Sequence, residues 1–131
     1  MKCVVDISIE HKGGLRKGSG RGLARIWAED GERRTEREQP VIVRVDDETL
    51  NALAIRTVNA ALQCFKKPGT EIEIRMDVPY VKANMQYLEA WHEKGFRNTR
   101  GKEIANREEW EKLWMVSKMY SLSFEARDEA V

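Results

Sequence analysis

The stretch "DVPYVKANMQYLEAWHEKGFRNTRGKEIANREEW", from Asp77 to Trp110, sets an acid at the close of a strand, then a helix, a basic glycine-bearing loop and a second capped helix. Carboxylates hold divalent cations, and lysine and arginine hold phosphate oxygens. The order therefore suits an enzyme that presses magnesium against a phosphate backbone. The cationic side chains gather in two places. Lys12, Arg16, Lys17, Arg21 and Arg25 lie in or beside a first loop, "HKGGLRKGSGRG"; Lys94, Arg97, Arg100 and Lys102 lie in the second. Such segments supply the salt-dependent, sequence-independent part of nucleic-acid affinity. The plainer reading is that loops are commonly charged and nearby acids cancel them.

The glycines of the first loop do not make a nucleotide site. Gly13 and Gly18 have the spacing of a phosphate-cradling loop, but Ser19 stands where that motif needs lysine, and no strand-to-helix junction surrounds it. Cys3 and Cys64 read as two reduced, buried thiols of a cytoplasmic protein, because no export signal is seen. His11 and His92 show no zinc-ligand spacing with either cysteine.

The elements that position these residues follow from periodicity. At 131 residues the chain is one domain by length, and with 34% charged residues against 41% hydrophobic ones its composition is that of a globular protein. The formal net charge of +1 means that any basic patch is local. No apolar run approaches the length of a membrane span, so no membrane role is expected. Residues 2–10 alternate as a half-buried strand, with Cys3, Val5, Ile7 and Ile9 on one face and Val4, Asp6, Ser8 and Glu10 on the other. A second strand is expected at about 21–29, a hairpin turn at Asp30-Gly31, and a third strand ending in "PVIVRV". "DDETLNALAIRTVNAALQCFKK" reads as a helix whose N-terminus is crowded by Asp46, Asp47 and Glu48. "EIEIRMD" is a strand, Pro79 opens a helix running towards Gly95, and Asn106 with Glu109 resembles a capping box for a helix carrying Trp110, Leu113 and Trp114. "YSLSFEA" closes the series. The expected architecture is α/β or α+β: a mixed five-stranded sheet with a three-strand meander, then β-α-β crossovers, and helices on one face.

At this point the residues resemble the ribonuclease H family of the retroviral-integrase superfamily. Tyr80, Trp91, Gly95, Phe96 (for a usual tryptophan), Lys102, Asn106 and Trp110 fall where the family's long helix, basic protrusion and next helix want them. "VVDIS" resembles the first-strand motif and "NALAIRTVNAAL" the family's glutamate-bearing helix, so the likeness covers nearly the whole chain. It implies cleavage of the RNA strand of an RNA–DNA hybrid by two divalent ions on four acids. Carried over by position, the first-strand acid is Asp6 and the fourth-strand acid is Asp77, while the helix glutamate falls on Ala54. The last acid belongs to a C-terminal helix beyond "FEARDEAV", so the expectation is a single domain over 1–131, truncated at its C-terminus. Val78 replaces the serine that follows the fourth-strand acid. Asn51 matches one of two asparagines that read the minor groove, and its partner position is Leu50.

Two acids of four make a weak cage, so no metal is required; Asp6 and Asp77 would at most hold one magnesium or manganese ion, helped by Ser8, Glu10, Asp128 or Glu129. The bland reading of both aspartates is polar positions on an exposed sheet face. Without a covering helix that face should alternate cleanly, and Asp6/Ser8/Glu10, Glu71/Glu73/Arg75 and Ser121/Ser123/Glu125 do. Val4, Leu23, Trp27 and Ile42 interrupt it as an apolar island, read either as an interface or as a tryptophan covered by Arg25 or Arg44. Three readings result. The favoured one is a degenerate ribonuclease H-like domain, of a kind the resemblance also places on integrative mobile elements. It binds hybrid or structured RNA through Lys12, Arg16, Lys17, Asn51, Lys94, Arg97, Arg100 and Lys102 without cutting it. The others are a protein-interaction module or homodimer built on Leu23, Trp27 and Ile42, and a residual magnesium- or manganese-dependent nuclease.

Overall fold

In the computed structural model, which describes residues 1–127, the alternating segments form one mixed sheet. Its strands are β1 (Lys2–His11), β2 (Gly18–Asp30), β3 (Arg33–Glu36), β4 (Val41–Glu48), β5 (Glu71–Met76) and β6 (Ser121–Ala126). The order is β3-β2-β1-β5-β6, and β4 pairs with β2 beside β3. β1 runs antiparallel to β2 and parallel to β5, which is parallel to β6. The parallel neighbours are joined through helices: α1 (Leu50–Leu62) before β5, and then α2 (Tyr80–Asn84), α3 (Leu88–Glu93) and α4 (Arg107–Ser117) before β6.

The sheet has six strands rather than five because a short strand that was not expected, β3, pairs with the end of β2 ahead of the expected third strand, which is β4. Pro40 has no N–H to donate to a ladder, and the chain leaves β2 between Glu36 and Val41 before rejoining it. Asp46 to Glu48 also depart from expectation. They close β4 and do not open the helix; Thr49 is the N-cap, its hydroxyl accepting the Ala52 N–H at 3.1 Å. Local propensity favoured the acids at the helix start, but pairing of Glu48 with Gly18 extends the strand through them. The expected capping box is absent too. Asn106 adopts a left-handed φ of 61° and makes no side-chain cap, while Glu109 accepts from Asn59 of α1 through its carbonyl at 2.9 Å and Oε1 at 3.0 Å.

One face of the sheet carries the core. Val5, Ile7, Ala24, Ile26, Ile72 and Ile74 lie under α1, which is buried on most of its circumference, and under Trp110 and Leu113 of α4. β2 and α1 approach so closely at Gly22 that a β-carbon there would fall on the Thr57 side chain. Strand order and burial together leave the opposite face to Asp6, Arg25, Arg75 and their neighbours.

Candidate nucleic-acid interface

The carboxyl ends of the parallel strands are where ligands meet an open α/β sheet. Asp6 sits midway along β1, in register with Arg25 of β2 and with Arg75 near the carboxyl end of β5. Both of its carboxylate oxygens accept from Nε of Arg127, just past β6, at 3.2 and 3.3 Å, and its side chain is only 14% exposed. Asp77, just past β5, is exposed, and its two oxygens each lie 3.2 Å from the backbone nitrogen of Ile9. Asp77 thus receives the N–H of a β1 residue beyond the last paired position, Ile7 with Met76. Ala54, onto which the resemblance carries the helix acid, is fully buried and offers only a methyl group.

Neighbouring acids do not make up the difference. Glu10 is turned to Arg21 at 3.7 Å, and Asp128 and Glu129 lie outside the described residues. Among the described residues no three His, Cys, Asp or Glu side chains are grouped to hold a metal ion. Two mutually repelling divalent ions need several shared oxygens, and the acids present here are already engaged by a guanidinium and a backbone N–H. Among the described residues the set does not supply the oxygens that two divalent ions would share.

Around Asp6 the outer face is a lattice of opposite charges. Arg25 donates to both oxygens of Glu36 at 2.8–3.1 Å, and Arg34 to the same carboxylate at 2.9 Å. Hydrogen bonds from Arg25 and then Arg34 hold the Glu36 carboxyl below its ordinary range. Arg75 donates to Glu73 at 2.5 Å, which raises the guanidinium further above its already high value. Trp27 lies inside this lattice, not on top of it. It is 5% exposed, lies over Val4, has the Arg34 guanidinium 3.7 Å from its ring centroid, and donates from Nε1 to Glu29 at 2.9 Å. The expected apolar island is therefore closed at its centre. Arginine does cover the tryptophan, but from Arg34 and Arg75 instead of Arg25 or Arg44. Leu23, four residues back along β2, is half-buried, and of the four island residues only Ile42, at 43%, is exposed.

Both basic loops are built, not loose. In the first, Lys12 N–H bonds Ser19 O at 3.0 Å and Arg16 N–H bonds Gly13 O at 2.9 Å, leaving the Lys12, Arg16 and Lys17 side chains exposed. His11 holds this loop to the sheet. Its Nε2 lies 2.7 Å from the Glu48 carbonyl oxygen and its Nδ1 accepts from Gly13 N–H at 3.1 Å, so the two partners fix the tautomer. Sequence reading gave His11 no role, although its place at the strand-to-glycine junction was a usable signal. Glu48 in turn pairs with Arg56 of α1 at 3.0 Å, and Asn51 is exposed on the first turn of that helix.

The second loop is a small hairpin. Asn98 Oδ1 accepts the N–H groups of Arg100 and Lys102 at 2.9 and 3.0 Å, and Gly101 supplies the left-handed turn with φ 78°. Arg97 is partly consumed by this turn, donating to Gly101 O at 2.9 Å, whereas Lys94, Arg100 and Lys102 are exposed. The base of the hairpin, at Glu103 and Ile104, shares a cleft with Arg56 and Asn106, so α1 lies between the two loops. Trp91 and Trp114, both partly buried, pack against the core that Trp110 enters. Trp110 is fully buried, with Trp91 at 5.2 Å and Tyr80 at 5.6 Å between ring centroids.

Comparison with known proteins places this arrangement. No family model matches the chain. The chain is 27% identical over 97 residues to a ribonuclease H of Neorickettsia sennetsu, covering 73% of the chain and 64% of that protein. It is 31% identical over 77 residues to a ribonuclease H of Geotalea uraniireducens, covering 58% of the chain and 52% of that protein. The chain thus spans about half to two thirds of the length of these curated relatives. Among solved structures, LC9-RNase H1, a type 1 RNase H with the type 2 active-site motif, superposes with a TM-score of 0.78 at 20% identity, over 98% of this chain and 64% of that one. LC11-RNase H1 in complex with RNA/DNA hybrid superposes with a TM-score of 0.64 at 15% identity, over 95% of this chain and 84% of that one. These structures share the fold; the curated relatives share sequence as well.

Proposed function

We propose that this chain, which is ribonuclease H-like in sequence and in fold, binds an RNA–DNA hybrid or structured RNA through its two basic loops and does not cut it. The observation that carries the reading is the Arg127–Asp6 contact. Asp6, at the sheet centre, already has a cation as its partner, and that cation belongs to the protein. Arg16, Lys17, Lys94, Arg100 and Lys102 stay exposed on loops held in shape by their own hydrogen bonds, so little ordering cost falls on binding. A duplex of A-like form is recognised by shape, 2′-hydroxyls and phosphates, which such loops can supply. LC11-RNase H1, with the same fold, is solved in complex with RNA/DNA hybrid, and this supports the ligand class.

The test is anisotropy of labelled hybrid, duplex and single strands, run beside a cleavage assay with magnesium and with manganese. The expected result is binding that weakens steeply with salt and falls in Lys102→Ala or Arg100→Ala for every sequence tried, without cleavage. Absence of binding to all three ligands at low salt overturns the reading. Metal-dependent cleavage that Asp77→Asn abolishes would replace it with the nuclease reading.

A further inference from the structure

Glu10, Arg21 and Arg44 form a row across β1, β2 and β4 on the outer face of the sheet. Arg21 and Arg44 are direct cross-strand partners and both are exposed. Like charges set opposite one another across an antiparallel pair destabilise it. Glu10 offsets one of them weakly, since its carboxylate is 3.7 Å from Arg21 and its side chain is 78% exposed. Arg44 and Lys12 make no ion pair with any described residue. Between these groups lies a cleft of about 340 Å³, lined by Lys12, Arg21, Arg44, Glu10 and Asp46. That size is at the lower end of small-ligand sites, which run roughly 300–1,000 Å³.

We propose that Lys12, Arg21 and Arg44 bind a phosphodiester of a nucleic-acid strand that passes from the first basic loop onto the outer face of the sheet. The inference rests on the nucleic-acid reading above and adds Arg21 and Arg44, which lie outside the loops. A phosphate between the two guanidiniums converts their mutual repulsion into two attractions, each with paired N–H donors. Glu10 and Asp46 at the rim bring the lining charge down to three cations against two acids, which favours a singly charged diester over a dianionic terminal phosphate. The cross-strand arginine pair, unfavourable in the free protein, is thus explained by what it holds.

Hybrid affinity and thermal stability of Arg21→Gln, Arg44→Gln, Arg44→Lys and Lys102→Ala test the proposal. Arg21→Gln and Arg44→Gln are each expected to weaken hybrid binding severalfold and to flatten the slope of log affinity against log salt by about 0.9. Arg44→Lys keeps the slope, and Arg44→Gln without ligand melts no lower than the parent. Unchanged affinity in both glutamine variants, with loss in Lys102→Ala, overturns the cleft and leaves the loops standing. Unchanged affinity in Arg44→Gln with a lower melting temperature also overturns it, because Arg44 then serves the fold alone. If the parent binds no nucleic acid, the broader reading falls. Titration with dimethyl phosphate, watched at the amide signals of Ser19, Gly20 and Arg44, then judges the cleft separately: saturable shifts support it and their absence overturns it.

Discussion

Arg127, one residue past β6, donates from Nε to both carboxylate oxygens of Asp6 in β1, at 3.2 and 3.3 Å. The contact reaches across β5, which separates the two strands in the sheet. A guanidinium is therefore the counter-charge of Asp6.

Arg127→Met is expected to leave Asp6 open to a divalent cation. Manganese should broaden amide signals around Asp6 at lower concentration in the variant than in the parent. Equal broadening would show that the guanidinium does not compete. The same change should cost less than about 1 kcal/mol in urea denaturation, since Arg127 is 39% exposed and partly exposed ion pairs contribute little.

Tyr80 ties the helical layer together through its hydroxyl, which accepts from Trp110 Nε1 at 2.9 Å and from Asn106 Nδ2 at 3.1 Å. Tyr80→Phe would strand the indole N–H of a fully buried tryptophan, at a cost of about 1–3 kcal/mol in urea denaturation. A double-mutant cycle with Trp110→Phe should give clear coupling; additive losses would deny the shared hydrogen bond its role.

Gly22→Ala tests the closest approach of sheet and helix. The added methyl collides with Thr57, whose hydroxyl already donates to Leu53 O at 2.8 Å. The expected loss is about 1–3 kcal/mol by denaturation, the range for overpacking a tight core. Thr57→Ala in the same chain should recover part of it, and no recovery would place the strain elsewhere.

Acid stability should report the outer-face lattice. Burial pushes the Glu73 carboxyl up, but the Arg75 hydrogen bond, then the charges of Arg75 and Lys2, outweigh it and hold the group below its ordinary value. A carboxyl with a depressed folded pKa stabilises the protein above the unfolded value of about 4.3, and that contribution is lost as pH falls through the folded pKa. Glu73→Gln should therefore flatten the fall of the melting temperature on the acid side of about pH 4.3 and leave the neutral region level. An unaltered acid limb would remove Glu73 from the account.

Sheet and helices were legible where burial imposes a period. β1, β5 and β6 alternate in sequence as they do in space, and α1 and α4 carry their apolar residues at helical spacing. Boundaries were less so, because they depend on partners far along the chain. Asp46 to Glu48 look like a helix start until Gly18 pairs with Glu48, and Asn106 looks like a cap until Tyr80 offers its hydroxyl. Trp27 shows the same limit for the site. Its alternation places it on the outer face, but the guanidinium that covers it comes from the neighbouring strand β3.

By itself the sequence determined the fold class, the positions of the basic loops and the places of Asp6 and Asp77 at the strand positions that the resemblance singles out, since each depends on residue type and local spacing. Tertiary structure alone decided what those acids do. Arg127 is 121 positions from Asp6 and Ile9 is 68 from Asp77, and only a sheet that sets β1, β5 and β6 side by side brings each pair within hydrogen-bonding range. Charge pairing between strands is set by register, and register belongs to the folded sheet.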